Sequence, residues 1–299
     1  MCPTCPAMVT LPTLYALSWF FYQQVGAALQ VFFNLRRLPE AVERVLEQIL
    51  QHSQDLTLSV FSASSLAKAL AKAKRNQEKP ATAAAPSNSK GAHPPLVSDG
   101  VRVVLSKRVN KVCDAIYAYS LQAWTLHRVL VRKRDPMTRE SFIDVARPRI
   151  DHSDWNPTSQ FWQKLTKQLQ KSITKLSKNH ETLRHFLTAE YPAVRKQLQS
   201  VLERLRQSTG EPSARTPGLT PLPQTADDRS RLLGCFDVHL QAYTAQSTQV
   251  LRNQLKEMFS RSKTTARGSK HAPLPEIVQI SSLTSDMRRE LRVSELPMF

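Results

Sequence analysis

Two histidines five residues apart, His180 and His185 in the stretch HETLRH, are the nearest approach to a helical metal pair in this sequence. Zincin chemistry needs histidines at i and i+4, so that both imidazoles share one helix face with the catalytic glutamate. At a spacing of five they stand about 140° apart around a helix of ~3.6 residues per turn, and the segment fails as a metal site. Cys2 and Cys5 form a C-x-x-C, but zinc takes four ligands and no second pair at a suitable spacing follows. They read as two thiols on an irregular tip. Asp151-His152-Ser153-Asp154 brings acid, base and hydroxyl together, and a hydrolase built on His152 would start there. Just ahead of a helix start, such a cluster reads instead as solvated turn chemistry. Cys113 lies beside an apolar helical stripe and reads as a small core residue. Phosphate-cradling loops need glycine, and neither GxxxxGKS, GxxxxGKT nor GxGxxG occurs in a chain with 7 glycines. The sequence offers no catalytic, cofactor-binding or metal-ligating set, so the expectation is a protein that is not an enzyme.

The positive signal is electrostatic. Lysine and arginine number 42 against 24 acidic residues, a net charge of +18. Lys164, Lys167, Lys171, Lys175 and Lys178 recur at three- and four-residue steps, forming a basic stripe along one helix edge, and Arg132-Lys133-Arg134 crowns the end of another helix. Such charge attracts the phosphates of nucleic acid or of anionic lipid headgroups. The plainer reading is a solvated edge flanking an apolar seam. No aromatic RNP strand, zinc finger or recognition-helix unit accompanies the charge, so a basic scaffold binding nucleic acid or anionic membrane directly stays the alternative.

The elements that must position these residues are helices. Seven glycines beside 19 prolines, with Leu-, Ala-, Gln- and Lys-rich blocks between Pro/Ser/Thr patches, suit helices joined by irregular linkers rather than sandwiches, barrels or doubly wound sheets. Residues 1–22 form an irregular N-terminus; Leu11 to Tyr22 is apolar, yet it falls short of the ~20 residues a bilayer needs and lacks a basic n-region and a cleavage site. Residues 23–77 form a first helical segment, where Pro39 opens a stripe of Val42, Leu46, Ile49, Leu56 and Val60 that runs on toward Asn76. Residues 78–99 are a Pro/Ala/Ser linker.

Residues 100–209 are the main helical bundle. Val101, Leu105, Val109, Val112, Ile116, Tyr119, Ala123, Leu126 and Leu130 line one face of a long helix ending near Asp135, before Pro136. At ~1.5 Å per residue it spans about 50 Å. Val112, Ile116, Tyr119, Leu126 and Leu130 are the candidate packing or partner-facing stripe. A second long helix starts at Asn156-Pro157 and carries Phe161, Leu165, Leu169, Ile173, Leu176, Leu183 and Leu187 until Pro192 breaks it. After a linker over 210–227, Thr225 to Asp228 resembles a capping box opening a helix over 228–262; residues 263–299 hold a short helix, between Pro275 and Arg292, and a tail. Helices apolar on one side only must pack against each other or a partner, and the expected fold is all-α: an elongated rod of long antiparallel helices with disordered linkers. The four cysteines are too few and scattered for a disulfide framework, which suggests a reducing cytosolic setting.

An ordered set of landmarks carries a resemblance: QVGAALQVFFNL (Gln24 to Leu35), AIYAYSLQAWTLHRVLVRKRDP (Ala115 to Pro136), the Phe161-Trp162 pair, and FLTAEYPAVRKQLQSVLERL (Phe186 to Leu205). In content, order and separation these resemble the middle of the conserved oligomeric Golgi complex subunit 5 family. The resemblance is good over Gln24 to Leu205 and thins toward Arg292, while residues 1–22 have no family counterpart. Family members are much longer, so a partial chain is the expectation. The resemblance implies a helical-rod tethering subunit on the cytosolic face of the Golgi, acting in intra-Golgi retrograde vesicle transport without cofactors. It further implies pairing with subunit 7 first, peripheral contact with the membrane, and indirect contact with SNAREs, Rab GTPases and coiled-coil tethers.

Overall fold

A computed structural model of the protein describes residues 24–77, 99–147, 155–210, 219 and 221–265. The sequence readings on Cys2 and Cys5, on Asp151 to Asp154, on most of both linkers and on the helix between Pro275 and Arg292 lie outside the described residues. The fold is all-α. Residues 24–34 form α1. It is followed by α2 (Leu38–Val60), α3 (Ala63–Gln77), α4 (Asp99–Arg132), α5 (Phe142–Ala146), α6 (Pro157–Asn179), α7 (Glu181–Ala189), α8 (Tyr191–Thr209), α9 (Ala226–Gly234), a 3-10 turn (Asp237–His239) and α10 (Leu240–Thr265). Among the described residues, pairing of the β type is confined to one bridge, between Arg134 and Ser141. No helix among them is long and apolar enough to cross a membrane.

Local chemistry explains several helix ends. Asp99 in the first turn of α4 and Arg132 in its last complement the helix dipole. Asn156 Oδ1 accepts the backbone N–H of Thr158 at 2.9 Å and of Ser159 at 3.2 Å, the cap that the Asn-Pro pair foretold. Thr225 and Asp228 close a reciprocal box: the Asp228 N–H donates to Thr225 Oγ1 at 3.1 Å, and the Thr225 N–H to Asp228 Oδ2 at 3.2 Å.

Three helices that the apolar periodicity joins are broken. Between α2 and α3, Ser62 takes over as the cap, its carbonyl accepting the Leu66 N–H at 2.8 Å. Between α6 and α7, His180 stands in extended backbone (φ −128°, ψ 98°), so α6 stops at Asn179. Asn and His are weak helix formers, and the break lets α7 bury Leu183, Phe186 and Leu187. Between α9 and α10, Gly234 ends the first helix and the 3-10 turn re-aims the chain. By contrast the break ahead of Pro192 falls where expected, with Glu190 outside both helices and proline in the first turn of α8.

The chain divides into two compact units, each drawn from separated segments: Met1–Val60, Lys111–Leu169 and Ser200–Asp228 in the first, Phe61–Asn110, Gln170–Gln199 and Arg229–Phe299 in the second. The first unit packs α2 on α5 and buries Leu38, Ala123, Val129, Leu130, Phe142 and Trp162 completely. Trp162 is anchored as well as buried, its indole N–H donating to the Asp228 carbonyl at 2.9 Å. The second unit packs α7, the 3-10 turn and the start of α10 together, over buried Leu183, Phe186, Tyr191, Leu198 and Leu232.

Candidate functional site

The apolar stripe on α4 is core. Val112, Ile116, Leu126 and Leu130 are each at most 4% exposed, and Tyr119 is half-buried. The protein's own side chains cover that face, which makes these residues packing residues. The five lysines behave oppositely: Lys164, Lys167, Lys171, Lys175 and Lys178 are all exposed on α6. Apolar surface does reach solvent elsewhere in the first unit, at Val31, Phe32 and Leu35 near the end of α1 and at Val45 on α2, exposed by 56%, 40%, 61% and 37%.

The basic crown at the end of α4 is only partly a surface feature. Lys133 turns inward, donating to the Gly26 carbonyl on α1 and lying over the Phe142 ring at 5.3 Å. Phe142 in turn stacks on Phe33 of α1, centroids 4.8 Å apart. Asp135 organises the turn beyond: its Oδ2 accepts the N–H groups of Thr138 at 2.7 Å and Met137 at 3.0 Å, and its Oδ1 accepts from Gln30 Nε2 at 2.8 Å. The Thr138 amide above all, with Gln30 and the Met137 amide, holds the Asp135 carboxyl below the usual carboxylate range. The Arg-Lys-Arg-Asp-Pro landmark is therefore a joint that fixes α1 to the exit of α4. Sequence reading saw its charges and missed its partners, because Gly26, Gln30 and Phe33 lie roughly a hundred residues upstream and carry no local signal.

The Glu-Tyr-Pro landmark does the same in the second unit. Glu190 pairs with Arg102 of α4 at 2.7 Å. Tyr191 donates its hydroxyl proton to Asp237 Oδ1 at 2.7 Å and accepts from Arg195 Nη1 at 2.9 Å. Burial first, and then the Asp237 carboxylate, pushes the Tyr191 hydroxyl up to about 12, so it stays a donor.

Among the described residues, the Cys113 and Cys235 thiols and His127 are buried out of reach of chemistry. Burial pushes the Cys113 and Cys235 thiols up to about 12, far from thiolate formation at neutral pH. His127, paired to Thr158 Oγ1 at 2.9 Å, is pulled down to about 4 by burial and is neutral. The histidines of HETLRH fall on different backbone, His180 between helices and His185 on α7, where its Nε2 lies 3.4 Å from Glu181 Oε1. Among the described residues no three metal-capable side chains gather.

The surviving geometry is a set of helix joints, each around an apolar core. A family model described as "Conserved oligomeric Golgi complex subunit 5, C-terminal" matches residues 22–208. A curated relative from Mus musculus, conserved oligomeric Golgi complex subunit 5, is 30% identical over 212 residues, 69% of this chain and 24% of the relative. The protein of the same name from Arabidopsis thaliana is 23% identical over 270 residues, 90% of this chain and 29% of the relative. The chain thus spans less than a third of the length of either relative. No solved structure matches at a significant level. With the joint at Asp135, the anchored Trp162 and the Glu190-Tyr191-Pro192 break all inside the matched residues, this chain belongs to the conserved oligomeric Golgi complex subunit 5 family.

Proposed function

We propose that the protein is a non-catalytic helical scaffold of the conserved oligomeric Golgi complex, working at the cytosolic face of the Golgi membrane in retrograde vesicle tethering within the organelle. Its partners are the other subunits of that complex, subunit 7 first, and through them SNAREs, Rab GTPases and coiled-coil tethers. The observation that carries this reading is the family match over residues 22–208, which takes in both helix joints and the buried faces of α4, α6 and α8. The chemistry agrees with it. A neutral His127, the buried Cys113 and Cys235 thiols and the apolar cores suit a protein that holds other proteins in place, and a tether works by many weak contacts made together.

The test is co-purification. The tagged chain expressed in cells should retain subunit 7 and colocalise with Golgi markers, while the Ile116→Asp and Leu126→Asp variants should lose both helicity by circular dichroism and subunit 7. A tagged chain that folds but recovers no subunit of the complex, and spreads evenly through the cell, would overturn the proposal.

A further inference from the structure

One cavity of the second unit carries chemistry that the scaffold does not use. A recess of about 460 Å³ opens to solvent between the end of α6, α7 and the start of α10. Three groups of basic type stand on its walls: Lys178 on α6, Arg184 and His185 on α7. Its lining also includes His239, only 4% exposed, whose Nε2 has no hydrogen-bond partner. A shut-in ring nitrogen without a partner is costly, and a ligand oxygen would relieve that cost. Burial, and then the Arg184 charge, holds His239 below the usual imidazole range, so the ring is neutral and can donate from Nε2 in the tautomer an anion selects.

The other wall is carbon. Val238, 56% exposed, and Ala242 face the recess from the 3-10 turn and α10. A bare phosphate would leave that surface unused. A singly charged carboxylate on an apolar backbone neighbourhood fits both walls, and the chain's net charge of +18 favours encounter with acidic partners. We propose that this cavity docks an acidic peptide segment of a partner protein, with one carboxylate between Lys178, Arg184 and His239 Nε2 and an aliphatic neighbour against Val238 and Ala242.

The experiment uses the full chain and fluorescence anisotropy, with a labelled array of short peptides that alternate Glu or Asp with Leu or Phe. Members of the array should bind saturably, and their Gln- and Asn-substituted counterparts should not. Reversing Lys178→Glu with Arg184→Glu should weaken binding about tenfold or more. His239→Leu should weaken it about tenfold, and Thr188→Trp, which fills the recess without changing charge, should abolish it. The surface reversals and the filled variant should retain wild-type helicity, so they decide the matter even where His239→Leu fails to fold. The control pair Lys164→Glu with Lys167→Glu should have little effect; equal weakening would reduce the binding to net charge and overturn the proposal. Absence of saturable binding across the array would overturn it too. So would binding of inorganic phosphate, or of vesicles of phosphatidylcholine and phosphatidylinositol 4-phosphate, that shares the mutational pattern while the peptides do not.

Discussion

At the scale of single residues, the buried polar groups make the sharpest predictions. His127 is neutral in the fold, pulled down to about 4 from an ordinary value near 6.5. The unfolded chain therefore binds the extra proton first, and stability present above pH ~6.5 is lost progressively as pH falls toward about 4. The size of the loss is on the order of 3 kcal/mol. His127→Gln keeps a hydrogen-bonding partner for Thr158 and removes the titration, so its denaturant midpoint should fall less than wild type between pH 7 and 4. The thiols predict an absence of reaction: with both pushed to about 12 by burial, Cys113 and Cys235 should resist iodoacetamide in the native protein and label once urea unfolds it, as mapped by mass spectrometry. Tyr191→Phe should cost about 1 kcal/mol, since it leaves Asp237 and Arg195 without the hydroxyl that joins them.

At the scale of elements, the caps and the charged edge separate stability from association. Asn156→Ala removes the acceptor for two amides at the start of α6 and should lower stability by about 1 kcal/mol in urea titration. Gly210 ends α8 with its N–H on the Arg206 carbonyl, and a Cβ there would stand 2.6 Å from that oxygen. Gly210→Ala should therefore loosen the last turn of α8, visible as faster amide exchange at Thr209 and Gly210. Lys167→Gln, Lys171→Gln and Lys175→Gln together should leave subunit 7 co-purification intact, because they change an exposed edge of α6 and no core contact. Loss of a strongly salt-dependent binding activity in that triple variant would instead favour a direct phosphate-binding role.

The same scale shows what could be read from sequence. The caps at Asn156 and Thr225 and the break ahead of Pro192 were legible because they are set by residues within a turn of each other. The breaks at Ser62, His180 and Gly234 were not, since the apolar spacing runs across them and packing chooses where the chain bends. Val112, Ile116, Leu126 and Leu130 were legible as one face, but periodicity does not say whether that face meets its own chain or another. The structure places it inside. Lys133 read as part of a basic crown and Asp135 only as the place where the helix ends, and only the fold brings Gly26 and Gln30 to them. The cavity beside His239 had no local signal, because its basic groups and its carbon wall come from three separate helices.

For the whole molecule, the division into two units is the feature with the widest reach. Each is assembled from three separated stretches of chain. The first needs Leu222, buried with its N–H on Thr209 Oγ1 at 2.8 Å, and the Asp228 carbonyl that receives the Trp162 indole. Removing residues 211–299 should therefore lower the melting temperature and raise binding of a hydrophobic dye, although α1 to α8 are all retained. On the ribosome the same interleaving means that neither unit can finish as its first segments emerge. The first unit's stretches up to Val60 and from Lys111 to Leu169 must wait, greasy faces bare, until the stretch through Asp228 has left the exit tunnel. A nascent chain of this kind should depend on chaperone holding during synthesis, and slowing the ribosome before that point should lengthen its stay there.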